Sequence, residues 1–460
     1  MSEPFDIVVV GAGDVGSAIA RELSRYELRV ALVDRGDVGA GTSKANTAIL
    51  HTGFDAKPGT LEARLVARGH TLLSAYAQEA GIPLERTGAH LVAWDDEQLA
   101  RLPEIEANAV RNDYRHIARI PAEELYRREP HVAAGALGAL EIPDEHIVCP
   151  WTAPLAWATQ AVRAGTELRR GFEVRRLVRE DDATWTLSGP SGALRARWIV
   201  NAAGLYGDEL HSAAGYDGLS ITPRRGQLIV FDKLARSLVN GTILPVPTAH
   251  TKGVLVAPTV FGNVLLGPTA EDLDDKSDTA CTAQGLAGLL EQGRRLIPAL
   301  VEREITASYA GLRAASDRGD YLLLVDADAR YACAGAIRST GLTSAMAIAE
   351  WLRDEFDRVG VELRERPGGL PAVRMANIGE GVVRPYADAE LIARDGAYGE
   401  VVCFCERATR GEIRDALGGD IPPLDRGGLR RRTRATMGRC QGFYCGAAVQ
   451  AALEEAGVKP

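Results

Sequence analysis

The spacing of apolar residues changes several times along the chain, and each change predicts an element. Ile7, Val8, Val9 and Val10 form a β-branched run too short for a buried helix, so it reads as a buried parallel strand. Across residues 17–26, Ala18, Ile19, Leu23 and Tyr26 fall at helical spacing, with Arg21, Glu22 and Arg25 elsewhere on the turn. That is an amphipathic helix. Residues 30–33 are a second apolar strand, which ends in Asp34.

Helical periods return at residues 61–80, stopped by Gly81-Ile82-Pro83, and at 96–112, 122–128 and 151–164. Residues 89–94 alternate and read as a strand entering a second domain, with 139–142 and Cys149-Pro150 as the strand and loop that lead back. Residues 172–178, 183–188 and 193–197 form a meander that turns at Gly189-Pro190. A buried strand at 198–204 and a helix at 208–214 follow. Residues 221–267 are rich in β-branched residues and predict antiparallel strands at 227–231, 253–257 and 264–267, completing the sheet begun near Ala89. A helix at 285–296 ends before Pro298. Residues 305–315 return toward the first domain, 321–325 and 331–334 form a hairpin, and 343–356 is an apolar helix. Residues 358–399 carry Pro, Gly and charge and read as a linker. A last helix is predicted at 409–417.

Between the first strand and the first helix stand Gly11, Gly13 and Gly16, at G-x-G-x-x-G spacing. Gly11 permits a tight turn, Gly13 a close approach of a diphosphate to the backbone, and Gly16 close packing of helix on strand. The helix N-terminus offers free amides to phosphates. Asp34, 18 residues beyond Gly16, is placed to accept from ribose hydroxyls. This strand–glycines–helix–strand–acid context makes the motif a dinucleotide site. By itself it does not choose NAD or FAD.

Composition narrows the partners. The 460-residue chain has room for two or three domains, and its formal charge of −9 argues against nucleic acid as a main partner. The N-terminus has no basic region of a signal peptide, and no apolar run approaches a membrane span of ~18 residues. The expected location is cytoplasmic, with peripheral contact at the inner face of the membrane left open. Of 7 cysteines, Cys403, Cys405, Cys440 and Cys445 crowd the end as C-x-C, 34 intervening residues and C-x4-C. Without an export signal, that suggests a metal site over disulfides. Four thiolates suit a 2Fe–2S cluster or a structural zinc. Nearby Arg430, Arg431, Arg432 and Arg434 read as a solvated loop, as compensation for an anionic cluster, or as a docking point for an electron-transfer partner.

The stretch GTSKANTAILHTGFDAKPGTLEARL after Asp34 resembles the flavoproteins of the D-amino-acid oxidase and glycerol-3-phosphate dehydrogenase superfamily. More narrowly, it resembles the branch holding short bacterial glycerol-3-phosphate dehydrogenases and L-2-hydroxyglutarate dehydrogenases. VCFCE and RRTRATMGRCQGFYC resemble the bacterioferritin-associated-ferredoxin type of 2Fe–2S domain, with Phe404 where that family commonly has Arg. The resemblance implies FAD and a 2Fe–2S cluster held by Cys403, Cys405, Cys440 and Cys445. It implies a fold of the α/β class. An FAD-binding Rossmann-like domain (1–88, 150–215, 305–357) accompanies an antiparallel-sheet substrate domain (89–149, 216–304). A linker (358–398) leads to a small four-cysteine cluster domain (399–460).

The expected cofactor-binding set is Gly11, Gly13, Gly16, Asp34, Arg35, Thr42, Ser43, Asn46, Thr47, Val174, Ala203, Gly204, Gly341, Leu342 and Thr343. Thr42, Ser43 and Asn46 are small polar groups suited to a diphosphate and ribityl chain. Ala202-Ala203-Gly204 reads either as a second backbone approach to FAD or as a packed strand end. Gly341-Leu342-Thr343 opens a helix whose N-terminus could stabilise charge on a reduced flavin; the plainer reading is an ordinary helix start.

FAD with a 2Fe–2S cluster favours a dehydrogenase over an oxidase, because the cluster passes single electrons outward to a protein, a quinone or a second dehydrogenase chain. The expected substrate is a small anion with a C–H beside a hydroxyl or amine. His51 is the candidate base, since unperturbed imidazole titrates near about 6.5; its alternative role is structural. Arg313 is the candidate anion clamp, with a surface ion pair as its plainer role. Lys252, His250, Arg224, Arg225, Tyr309 and Arg338 are weaker candidates. The resemblance favours oxidation of sn-glycerol 3-phosphate to dihydroxyacetone phosphate. L-2-hydroxyglutarate, another 2-hydroxy acid or an amino acid are the other substrates, and a non-catalytic electron-transfer subunit is the reading from another class.

Overall fold

The structure is a computed structural model that describes residues 3–247 and 253–458. Its first sheet has parallel strands in the spatial order Glu167–Arg170, Val30–Asp34, Phe5–Val10, Gly192–Asn201 and Tyr331–Gly335. Leu322–Asp326 joins the last antiparallel, and Arg176–Arg179 with Trp185–Gly189 forms a meander on the first half of Gly192–Asn201. Both faces of the central strand are covered, which is why it reads as an unbroken apolar run. Ile7 and Val9 pack toward helices Asp14–Leu23, Thr152–Arg163 and Gly341–Arg358, while Val8 and Val10 pack with Phe172 and Leu187 on the other face.

The local predictions and the structure differ at several points. The first helix runs Asp14–Leu23, earlier than predicted, because the free amides of the glycine turn already begin it. Tyr26 lies beyond that helix and bridges to Glu365. The third meander strand and the buried strand after it are one continuous strand, Gly192–Asn201. The sequence reading missed Glu167–Arg170 and the small sheet of Ile49–Leu50, His146–Val148 and Leu84–Glu85. Strands this short have no readable period.

The second sheet has nine strands. Its link between Ala89–Ala93 and Thr242–Pro245 is parallel, whereas the sheet was expected to be antiparallel. Ile305–Ala315 pairs with Thr222–Phe231 along nearly its whole length, so this strand belongs to the second sheet, although residues 305–315 were expected in the FAD-binding domain. Its far end still reaches the first domain, as Thr42 Oγ1 donates to Leu312 O at 3.0 Å.

The linker is attached to the body. Met375 N donates to Ala80 O at 2.7 Å and Glu380 N to Val260 O at 2.8 Å, with Val373 and Ile378 buried. Beyond it, helices Arg410–Leu417, Arg426–Thr433 and Gly446–Glu455 enclose a small core of Ile413, Leu429, Val449 and Leu453. Thr409 and Glu412 form a reciprocal capping box that fixes the start of the first of these helices.

Candidate functional site

The glycine turn is closed by contact. Gly11 has φ +108°, and a Cβ there would lie 2.3 Å from Ala202 O; a Cβ on Gly16 would lie 1.8 Å from Gly11 O. Only glycine fits either position. Asp34 braces the turn, with Oδ2 accepting from Ala12 N at 2.8 Å and Oδ1 from Gly36 N at 2.7 Å. Burial raises its pKa in spite of those bonds. A carboxylate has about four acceptor positions, so two hydroxyl donors can still be received.

A cavity of about 660 Å³ starts at this turn and crosses to the second sheet. Gly13, Thr42, Ser43, Asn46 and Thr47 line it, as do His51, Gly204, Arg313, Gly341 and Leu342. The other residues of the expected cofactor set stand behind the wall or beside it. Arg35 lies over the Tyr206 ring at 4.0 Å. Val174 and Ala203 pack against the core under the first sheet. Thr343 is fully buried, and its Oγ1 accepts from His51 N at 3.0 Å.

His51 is held on a second side by a group the sequence reading missed. The buried Glu145 places Oε2 3.1 Å from His51 Nδ1, and its Oε1 accepts from Thr52 N at 2.6 Å and Thr52 Oγ1 at 3.0 Å. With Nδ1 donating to Glu145, Nε2 is the basic nitrogen of the ring. No spacing in the sequence announces this pair, since it is made by the tertiary fold.

Arg313 enters the cavity from strand Ile305–Ala315. Among the described residues no carboxylate pairs with it; it donates to Thr269 O at 3.4 Å. Burial, and then the charge of Arg224, lower its pKa. This is not the surface ion pair of the plainer reading. Arg224 also lines the cavity but is engaged by Asp272, and Arg338 lines it paired with Glu62 at 3.0 Å. Arg225 is occupied by Glu271 and Asp278. Tyr309 donates to Asn46 O at 2.8 Å and so supports the cavity wall. His250 and Lys252 lie outside the described residues.

In the C-terminal module the Cys405 thiol faces Cys440, and Cys445 faces Cys403. The basic run is neither a solvated loop nor a free docking point. It lies on helix Arg426–Thr433 and its end, and two of its arginines meet the first domain. Arg432 Nη1 is 2.8 Å from Asp37 Oδ2, with Arg170 2.9 Å from Oδ1. These cations hold the buried Asp37 below the usual carboxylate range. Arg434 binds Glu406 at 2.9 Å and Asn263 at 3.1 Å, and covers the Phe261 ring at 4.2 Å. Phe261 stacks on Trp151, whose Nε1 donates to Lys44 O at 3.0 Å. The module is thereby tied to the segment that lines the cavity.

A glycine turn, a long cavity and an imidazole in its wall define a dinucleotide-dependent oxidoreductase. The family described as FAD dependent oxidoreductase matches residues 6–355, and the chain belongs to it. The description BFD-like [2Fe-2S] binding domain matches residues 401–455. The chain is 34% identical to glycerol 3-phosphate dehydrogenase of Caloramator mitchellensis, over 96% of this chain and 92% of that relative. It is 27% identical to one subunit of the anaerobic glycerol-3-phosphate dehydrogenase of Escherichia coli K12, over 96% of this chain and 87% of that relative. Among solved structures, L-alpha-glycerophosphate oxidase of Mycoplasma pneumoniae with FAD bound is similar at a TM-score of 0.76 and 28% identity, covering 82% of this chain and 100% of that one.

FAD and a 2Fe–2S cluster are the cofactors, and the residues present fit both. The turn that excludes a Cβ at Gly11 and Gly16, and the cavity beside it, suit a diphosphate and a long flavin. A dinuclear cluster takes two thiolates on each iron, and the four thiols stand together, Cys405 beside Cys440 and Cys445 beside Cys403.

Proposed function

We propose that the chain is a dehydrogenase that oxidises sn-glycerol 3-phosphate to dihydroxyacetone phosphate and delivers the electrons, through its C-terminal cluster, to an external acceptor. The bound FAD supplies a hydride acceptor and the cluster a one-electron outlet. The observation that carries the reading is Arg313. A cation with no carboxylate partner among the described residues, in a cavity shared with His51, calls for an anionic group on the substrate. A guanidinium fork binds phosphate in two-point fashion. The names of the relatives that match most of the chain support phosphate over carboxylate.

His51 is the base for the substrate hydroxyl. Its Nε2 takes the proton while Glu145 fixes the ring and stabilises the imidazolium that forms. Thr343 holds the backbone of the same residue. Cys403, Cys405, Cys440 and Cys445 ligate the cluster. Phe404, Phe443 and Tyr444 flank these ligands and are 72%, 83% and 75% exposed, which supports an acceptor protein meeting the module at that rim. A further dehydrogenase subunit fits this role. Among the described residues no helix is long and apolar enough to cross a membrane.

The test is a substrate comparison without oxygen. Flavin absorbance should be lost on titration with sn-glycerol 3-phosphate and not with L-2-hydroxyglutarate or amino acids. Loss only with a carboxylate substrate would move the substrate and keep the base and clamp.

A further inference from the structure

The residue after Gly13 is an acid, where a diphosphate has to sit. Asp14 is the first residue of helix Asp14–Leu23 and lines the cavity. It is 7% exposed, and its Oδ1 is out of reach of solvent with no hydrogen-bond partner. A carboxylate here would face two phosphate charges in a site shielded from water. Such a site demands the neutral acid, which can donate one hydrogen bond.

We propose that Asp14 is a protonated ligand of the FAD diphosphate, so that cofactor binding takes up one proton and weakens as pH rises. This rests on FAD occupying the glycine turn. Ser43 is the polar side chain that acts on Asp14: its Oγ accepts from Asp14 N at 3.0 Å, and its hydroxyl favours the charged carboxylate. Burial outweighs it and pushes the carboxyl up to about 7. Among the described residues no cation offsets that burial. Charged groups on the surrounding elements are engaged elsewhere: Asp34 accepts from Ala12 and Gly36, and Arg338 on the approach to helix Gly341–Arg358 pairs with Glu62. Approach of the diphosphate adds like charge and moves the carboxyl further up.

By linkage, one proton taken up on binding changes the dissociation constant by up to about tenfold per pH unit above the value of the free protein. The probe is FAD itself, added to FAD-stripped full-length protein and followed by quenching of flavin fluorescence from about pH 5.5 to about pH 8.5. In the wild type, affinity should be flat at acid pH and fall above about pH 7. In Asp14→Asn, which donates without titrating, it should stay flat throughout. At about pH 8 a pH-indicator dye should report about one proton taken up per FAD in the wild type, and none in Asp14→Asn. The wild-type proton count decides the matter even if the variant does not fold. Parallel affinity profiles, or no proton uptake by the wild type, would overturn the proposal. Gly13→Val places a side chain against Ser43 Oγ and should release FAD at every pH. Full FAD affinity in that variant would instead displace FAD from the turn, a failure of the underlying site and not of Asp14 alone.

Discussion

Glu145 Oε2 stands 3.1 Å from His51 Nδ1, although 94 residues separate the two in sequence. The pair joins a loop that follows the flavin segment to the turn before strand His146–Val148. It selects the ring tautomer of a side chain that lines the cavity. His51→Ala should slow flavin reduction by about 10²–10⁴-fold. Glu145→Gln keeps the shape and removes the charge that supports the imidazolium, so it should cost about 10²-fold, with a changed pH profile. Stopped-flow reduction at several pH values measures both. An unchanged rate in His51→Ala would retire its role as base.

Arg313 carries a half-buried charge that no carboxylate among the described residues neutralises. Arg313→Met should raise KM by about 10²-fold or more, because an ionic, two-point contact is lost. The same change should raise the melting temperature of the substrate-free protein, since an uncompensated charge leaves a partly desolvated site. Arg313→Lys should mainly raise KM. A lower melting temperature together with normal KM in Arg313→Met would mean a structural role.

Asp37 joins the flavin domain to the cluster module through Arg432, with Arg170 of its own domain on the other oxygen. Breaking a buried pair costs about 3–5 kcal/mol, so Asp37→Asn should lower stability by about that amount and open the 358–398 segment to proteolysis. The pH dependence follows from the sign of the shift. The folded carboxyl titrates below its unfolded value of about 3.9. Its stabilisation is therefore full above that value and is lost as pH falls through the folded one. Chemical denaturation should show the wild type losing its advantage over Asp37→Asn at acid pH.

Cys440→Ser should abolish the iron-linked absorbance while FAD stays bound, because the cavity is built from residues 13–342 and the cluster ligands lie beyond it. Electron paramagnetic resonance of the reduced protein gives the cluster signal, and the flavin spectrum gives the other half. Loss of both would make the module structural for the whole chain.

How much of this was legible in the sequence depended on the range of the interaction. The turn around Gly11, Gly13 and Gly16, the strand ending in Asp34 and helix Leu61–Ala80 are local patterns, and they were readable. The cysteine spacing was readable for the same reason. The Glu145–His51 and Asp37–Arg432 contacts were not, because no period or spacing links residues that meet only after folding. Arg431 and Arg432 read as a basic loop since their acid lies near the other end of the chain. Residues 305–315 were assigned by direction of travel, whereas their backbone pairing with Thr222–Phe231 decides the sheet they belong to. Asp14 passed unnoticed inside the glycine motif, where only burial reveals that its charge is out of place.

The most direct test of the central claim is rapid anaerobic mixing of FAD- and cluster-loaded protein with sn-glycerol 3-phosphate, following flavin absorbance and the cluster resonance in the same samples. We expect flavin bleaching first, then cluster reduction, with His51→Ala delaying both and Cys440→Ser abolishing only the second. Flavin that stays oxidised with this substrate, or a cluster that stays oxidised while the flavin is fully reduced, would contradict the account.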